Sequence, residues 1–382
     1  MANNQAKKVL IFSTAYLPLI GGAEIAVDEI TKRLPDWQFD LITAKIKPDI
    51  SRFERISNIN VYRVGLGLGF LDKLFLPIFG LIKAIKLNRE REYNLIWSIM
   101  ASQAGIAAVF FKIWSKKKLL LTLQEGDPEK HLERYVGGMK FLYKIFIKPW
   151  HTMPFKYADY LTVISNYLKK RALRNGVKVP IKIVPNGVDL KTFKPVERID
   201  NQKEKIILTV SRLVKKNGID DLIKAGQYLD FPFKIIIIGV GPDEEKLKKL
   251  ANNLKIQNKV IFQGKVNYNE LPIYYSTADV FVRASRSEGL GNVFLEAMAC
   301  GLPVIGTEVG GIPDFLKNSE TGLFCEANNP QDIAQKIKEI LKDDNLGKYL
   351  RENGLELVRE KYSWDKISQQ MENIYLKLIN EE

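Results

Sequence analysis

Short apolar runs alternate with longer mixed stretches along the whole of this 382-residue chain. Runs at 9–12, 39–43, 60–64, 95–97, 118–123, 160–164 and 182–184 read as strands, and 23–34 and 103–114 as helices. The first of these helices is entered through a loop at Gly21 and Gly22. The theme repeats further on, with strands at 205–210, 233–239, 259–263, 280–282 and 303–305 and helices at 219–229, 243–254, 269–276 and 292–300. From Pro330 the pattern is helical, closing with a helix over 364–379. Short apolar strands separated by helices predict parallel sheets covered on both faces, an α/β fold. The repetition predicts two Rossmann-like domains, and a chain of this length is too long for one ordinary core. The polar stretch 194–203, with Pro195 and no apolar run, places the boundary, giving domains of 1–197 and 198–363.

Composition narrows the classes. Two cysteines, Cys300 and Cys325, without C-x-x-C spacing argue against a disulfide scaffold or a zinc site. Two histidines exclude a His-rich metal centre, so no metal is expected. No run reaches the roughly 18–20 apolar residues that span a bilayer. Lys7 and Lys8 before an apolar run mimic a signal peptide, but the small-residue cleavage site is missing and Pro18, Gly21 and Gly22 read as strand then loop. A cytoplasmic protein is expected. The net charge of +14 attracts polyanions. Nucleic acid is the weaker partner, because no nucleic-acid module is recognisable. The segments 71–91 and 139–156 mix Lys with Leu, Ile, Phe and Trp, and Lys112 and Lys116 to Lys118 flank Ile113 and Trp114. Such segments lie in a membrane interface, or equally form core-facing helices with a solvated Lys face. Their concentration in one half favours peripheral attachment to an anionic membrane surface.

The densest chemistry lies between Ser285 and Gly311. Glu288 and Glu296 stand eight residues apart around the turn Gly289, Leu290, Gly291, Asn292. The glycines let backbone N–H groups approach a ligand, and the following helix points its free N–H groups at an anion. Glu288 precedes that helix and Glu296 lies about one turn inside it, so both can face one ligand. A carboxylate accepts two hydrogen bonds from neighbouring hydroxyls, which suits a sugar at one end and a ribose at the other, with phosphates between. The spacing alone carries little. The glycines, the helix and the second pair Gly310 and Gly311 make the segment specific. Arg212, at the carboxyl end of the strand 205–210, stands where open α/β sheets bind ligands and can hold a diphosphate bidentately. Gly239 and Gly241 form a tight strand-to-helix turn near the same place, a weak signal alone.

These residues closely resemble the signature of retaining, nucleotide-sugar-dependent glycosyltransferases of the GT-B fold, family 4 (group 1) type. The resemblance spans nearly the whole chain. It implies two Rossmann-like domains facing across a cleft, the acceptor on the first and the donor on the second, with a last helix over 364–382 returning to the first domain. It implies that Glu288 holds donor-sugar hydroxyls and Glu296 the ribose. Gly289, Leu290, Gly291, Asn292 and Val293 would give backbone contacts, and Arg212 would neutralise the departing diphosphate. Gly21 and Gly22, followed by Glu24, match the loop whose amides approach the donor. Gln263 with Gly264 resembles the loop that meets the base, and 185–189 a late loop of the first domain. Asp314 stands at a position read as structural, and His131 and His151 as packing.

Two positions depart from the pattern. Asn217 stands where a Lys is usual, five residues after Arg212. Either Lys216 reaches the phosphate instead, or Asn217 donates a neutral hydrogen bond; cationic donors favour a transition state in which the leaving diphosphate gains charge. Gln124 stands where a His is usual, and is followed by Glu125. Gln cannot act as a base but can hydrogen-bond sugar or acceptor, while Glu125 or Asp127 is of a type to receive the acceptor proton. The resemblance implies a front-face substitution assisted by the leaving phosphate, which leaves activity open without the His. The expected function is transfer of a sugar from a UDP- or GDP-sugar to a hydroxyl of a lipid-linked or cell-surface glycan precursor, with no cofactor beyond the co-substrate. Two rivals stand beside it. One is a same-fold nucleotide-sugar epimerase, which needs further acidic residues and a His. The other is a non-catalytic nucleotide-sugar or membrane-binding protein, favoured by Gln124 and Asn217. A nicotinamide dehydrogenase lacks its glycine fingerprint here.

Overall fold

The central strands of each sheet are buried on both faces, which is why they read as unbroken apolar runs. The computed structural model describes residues 6–19, 21–124, 148–196 and 204–381. The chain divides into two compact units, Met1–Asn186 with Trp364–Glu382, and Gly187–Ser363.

The first unit holds β1 (Lys7–Phe12), β2 (Trp37–Ala44), β3 (Phe53–Ile56), β4 (Ile59–Val64), β5 (Leu95–Ile99), β6 (Leu119–Leu123), β7 (Tyr160–Val163) and β8 (Ile181–Ile183). Their order is β3-β4-β2-β1-β5-β6-β7-β8. All pairs are parallel except β3 with β4. The sequence reading missed β3, a four-residue edge strand that alternates exposed and half-buried residues and so lacks an apolar run. Val9 and Ile11 point into one core with helix α1 (Gly22–Thr31) and the C-terminal helix Trp364–Asn380. Leu10 and Phe12 point into the other, with α2 (Phe70–Arg91) and α3 (Gln103–Ser115). The C-terminal helix buries Trp364, Ile367, Met371, Ile374 and Tyr375. Tyr375 packs its ring 5.4 Å from Trp37 and 5.6 Å from Trp97, and Glu372 accepts the Trp37 indole N–H at 2.9 Å.

Helix α2 is apolar on two sides. Leu76, Gly80, Ala84 and Leu87 are buried on the sheet side, where a Cβ on Gly80 would lie 3.3 Å from Ala107. Phe70, Leu71, Leu74, Phe75, Ile78, Phe79 and Ile82 are exposed and follow the i, i+4 rows of one helix face. The segment 71–91 is therefore not simply a core-facing helix with a solvated lysine side.

The second unit holds β9 (Lys205–Val210), β10 (Phe233–Ile238), β11 (Val260–Gly264), β12 (Val280–Arg283), β13 (Val304–Thr307) and β14 (Leu323–Cys325), all parallel, in the order β11-β10-β9-β12-β13-β14. The three-residue β14 was not expected from the sequence. Successive strands are added on one side of β1 and then, from β5, on its other side; in the second sheet the same switch falls between β9 and β12. These are the switch points where such sheets bind ligands. The division between units falls ahead of the polar stretch 194–203. The residues before that stretch are already anchored in the second unit: Val188 donates to the Tyr362 carbonyl at 2.7 Å, and the buried Phe193 ring lies 5.0 Å from Tyr268 and 6.0 Å from Tyr275. Polarity marked a stretch whose described residues, 194–196, are exposed, whereas packing set the boundary.

Candidate functional site

At the switch point of the second unit, β9 leads into Ser211 and Arg212, and β12 ends on Arg283. The loops beyond these strands are stitched together. Arg286 binds both Asp220 oxygens at 2.9 Å and Asp221 at 2.6 Å, and its backbone N–H donates to the Lys216 carbonyl at 2.7 Å. Gly239 and Gly241 lie directly on the Arg212 loop, since a Cβ would come 2.0 Å from the Ser211 carbonyl oxygen at Gly239 and 2.2 Å from the Leu213 carbonyl oxygen at Gly241. Their immediate task is to let two backbones meet.

Glu288 pairs directly with one guanidinium, whose charge also acts on Glu296. Glu288 Oε2 lies 2.6 Å from Arg283 Nη2, and Glu288 Oε1 accepts from the Gly289 N–H at 3.1 Å. Gly310, at φ +60°, underlies this loop; a Cβ there would lie 1.8 Å from the Glu288 carbonyl oxygen. Gly291, at φ +97°, caps the helix Asn292–Ala299 with no side-chain hydrogen bond to its amides. Glu296 is buried one turn inside that helix and accepts the Tyr275 hydroxyl at 2.9 Å. Burial pushes its pKa up to about 7, an effect the Tyr275 hydrogen bond and the Arg283 charge partly offset. Arg283 therefore acts on both carboxylates.

Arg283 Nη2 also donates to Asn217 Oδ1 at 3.1 Å, and Asn217 Nδ2 donates to the Arg212 carbonyl at 2.7 Å. Asn217 is only 2 % exposed. Expected as a ligand donor, it is instead an internal bridge between two arginine-bearing loops. Arg212 and Lys216 are exposed on the same turn, and among the described residues the Arg212 guanidinium forms no ion pair. Leu290 is a core side chain and offers only its backbone, while Asn292 and Val293 are half-buried at the helix start. Gln263 is exposed on the edge strand β11. No hydrogen bond joins it to this cluster among the described residues.

In the first unit, Gly21 caps α1 in extended backbone, and Gly22 opens the helix. Burial raises the Glu24 pKa, while hydrogen bonds from the backbone N–H groups of Glu24 and Gly21 pull it down. The carboxylate thus sits on the helix start. Where β1 and β5 part, Thr14 and Ser102 share a hydrogen bond at 2.8 Å. Gln124, following β6, exchanges two hydrogen bonds with Asn186 at 2.9 and 2.8 Å, joining two separately read motifs. Beneath them Trp97 donates to Thr122 at 2.7 Å. Glu125, Asp127 and His131 lie outside the described residues. His151 packs edge-on against Phe155. Both cysteines are buried, with thiols pushed up to about 12 by burial.

Sequence reasoning missed Arg283 and Tyr275 as members of the site. A charged residue closing an apolar strand at its carboxyl end was the available signal for Arg283. Tyr275 sits in a short helix and carried none.

Comparison with known proteins bears on the family and the fold. Residues 191–357 match the family model for glycosyl transferases group 1, and residues 20–192 match the model for glycosyltransferase family 4. An uncharacterised glycosyltransferase of Methanocaldococcus jannaschii is 38% identical, over 96% of this chain and 97% of that protein. The GDP-mannose-dependent monoacylated alpha-(1-6)-phosphatidylinositol monomannoside mannosyltransferase of Corynebacterium glutamicum is 26% identical, over 97% of this chain and 98% of that protein. Among solved structures, sucrose-phosphate synthase of Thermosynechococcus elongatus superposes with a TM-score of 0.85 at 24% identity, covering 98% of this chain and 100% of that one. That likeness is one of fold, the GT-B architecture of two Rossmann-like domains. With two catalytic-family models matched and a relative at 38% identity over nearly its full length, the chain belongs to the group 1, family 4 type glycosyltransferases and is a transferase enzyme.

Proposed function

We propose that this enzyme transfers a sugar, with retention of anomeric configuration, from a nucleotide diphosphate sugar to a hydroxyl of a lipid-linked acceptor, and that it works at an anionic membrane surface without a metal or other cofactor. The observation that carries the donor half is the cluster around Arg283, in which Glu288, Glu296 and the Arg212 loop are held within one hydrogen-bonded and charged network. Glu288 accepts hydrogen bonds from the sugar hydroxyls and Glu296 from the ribose. Arg212 and Lys216 lie on the exposed turn where the diphosphate is held, and their charge is worth most as the bond to the sugar breaks and the phosphate becomes more negative. The amides at the start of the helix Asn292–Ala299 face the same charge. Within the first unit, Gly21 and Gly22 present backbone N–H groups at the start of α1, and Gln124, held by Asn186, keeps a second amide N–H for a substrate hydroxyl. The leaving phosphate takes the acceptor proton, since no His stands beside Thr122.

The lipid acceptor is supported by α2. Its seven exposed Leu, Ile and Phe side chains, followed by the exposed Lys86 and Arg89, form the apolar-plus-cationic face of an interfacial helix. Among the described residues no helix is long and apolar enough to cross a membrane. The Corynebacterium relative acts on an acylated phosphatidylinositol mannoside by its name. Screening UDP- and GDP-sugars for protection against thermal unfolding identifies the donor, and NMR of the product made with that donor reads the anomer. An inverted linkage refutes the retaining mechanism. Consumption of the nucleotide sugar to an isomer without any acceptor would instead support an epimerase.

A further inference from the structure

Among the cations at the switch point of the second unit, Arg283 has no role assigned by the motifs, yet it pairs with Glu288 and bonds Asn217. It is the last residue of β12, the strand beside β9 at that switch point. Its guanidinium has five N–H donors in a fixed fork. The contacts to Glu288 at 2.6 Å and Asn217 at 3.1 Å both fall on Nη2, and Nε finds no acceptor among the described residues. Protein groups therefore leave the fork short of acceptors. Through Asn217 the fork is two hydrogen bonds from the backbone of Arg212, so the two arginines close the ends of β12 and β9.

We infer that Arg283 supplies the second cation for the donor diphosphate, taking the place that a lysine at 217 would otherwise fill. This rests on the donor site proposed above. The residue at 217 decides between the two arrangements. Asn217 offers a neutral carbonyl to the guanidinium; a lysine there would bring a second positive charge to the same spot and repel it. The cation beside position 217 is carried on β12 in this chain. Arg283 reaches the diphosphate with the part of its fork turned away from Nη2, and Glu288 keeps its pairing while it holds the sugar.

The test is calorimetric titration of the full chain with UDP and GDP beside UMP and GMP. Arg283→Gln is expected to weaken binding of the preferred diphosphate by about ten- to a hundredfold and to change monophosphate binding little. Asn217→Lys alone is expected to weaken it through like-charge repulsion, and the double variant Arg283→Gln with Asn217→Lys to restore it to within a few-fold of the parent. Arg283→Gln also strands Glu288, so Arg283→Lys and the pair Arg283→Gln with Glu288→Gln serve as folding controls by thermal unfolding. Folded Arg283→Gln protein with undiminished diphosphate affinity overturns the inference. So does a double variant that stays as weak as Arg283→Gln, which would make Arg283 a positioning group for Glu288. If the parent chain itself binds neither diphosphate, the donor-site reading falls first.

Discussion

Glu296 should make nucleotide binding release a proton near neutral pH. In the folded, unliganded chain its carboxyl has a pKa of about 7 against 4.5 in an unfolded chain, chiefly through burial. A ribose diol donates hydrogen bonds, so the binding form is the carboxylate, which accepts two. With the pKa at about 7, about a tenth of the molecules are ionised at pH 6 and about nine tenths at pH 8, so apparent affinity should rise roughly tenfold across that range. A nucleotide sugar is the ligand of choice, because its diphosphate is esterified at both ends and does not titrate there. Calorimetry at pH 7 in buffers of different ionisation enthalpy should show release of about half a proton per ligand bound. Glu296→Gln should bind more weakly and lose this pH dependence.

The same group leaves a mark on stability, with a definite sign. A carboxyl whose folded pKa lies above its unfolded one favours folding below pH 4.5 and loses that contribution as pH rises to about 7. The loss totals about 3 kcal/mol. Denaturant unfolding of the unliganded chain should therefore show the parent and Glu296→Gln diverging between pH 5 and 7, with the Gln variant the more stable above 7, since its amide oxygen still accepts from Tyr275. A nucleotide-sugar affinity that is flat from pH 6 to 8, with no proton released, would refute the reasoning. Either Glu296 would then be ionised before the ligand arrives, or the ribose would not meet it.

Three further outcomes follow from the structure. Replacing Phe75, Ile78 and Phe79 of α2 together by Ser should weaken co-sedimentation with phosphatidylglycerol-containing vesicles by roughly two orders of magnitude, with the circular dichroism spectrum and nucleotide binding unchanged; undiminished co-sedimentation counts against α2 as the docking face. Gly310→Ala sets a Cβ against the Glu288 carbonyl at a positive φ, so it should cost more than about 1 kcal/mol of stability and raise the donor KM; normal kinetics would mean the loop yields freely. Gln124→Ala leaves the buried Asn186 amide without its reciprocal partner, and urea unfolding should register a loss of about 1–3 kcal/mol.

What the sequence made legible, and what it did not, divides along one physical line. Strands buried on both faces appear as apolar runs wherever they lie, so β9 was read with the ends it has, 205–210, and the glycine corner before the helix Asn292–Ala299 was read with its two carboxylates. These features are local. Arg283 was out of reach because its meaning depends on Asn217, 66 residues earlier, and no periodicity spans that gap; both residues look ordinary until β9 and β12 become neighbours. Helix α2 was undecided for a related reason. With apolar residues on two sides, its pattern is the same whichever side faces the sheet, and only the close approach of Gly80 to Ala107 settles it. Once Leu76, Gly80, Ala84 and Leu87 are committed inward, the row from Leu71 to Ile82 stays largely exposed. Seven large apolar side chains exposed on one helix face exceed what scattered surface hydrophobics explain. The proposed lipid surface is the partner that the vesicle measurement above tests.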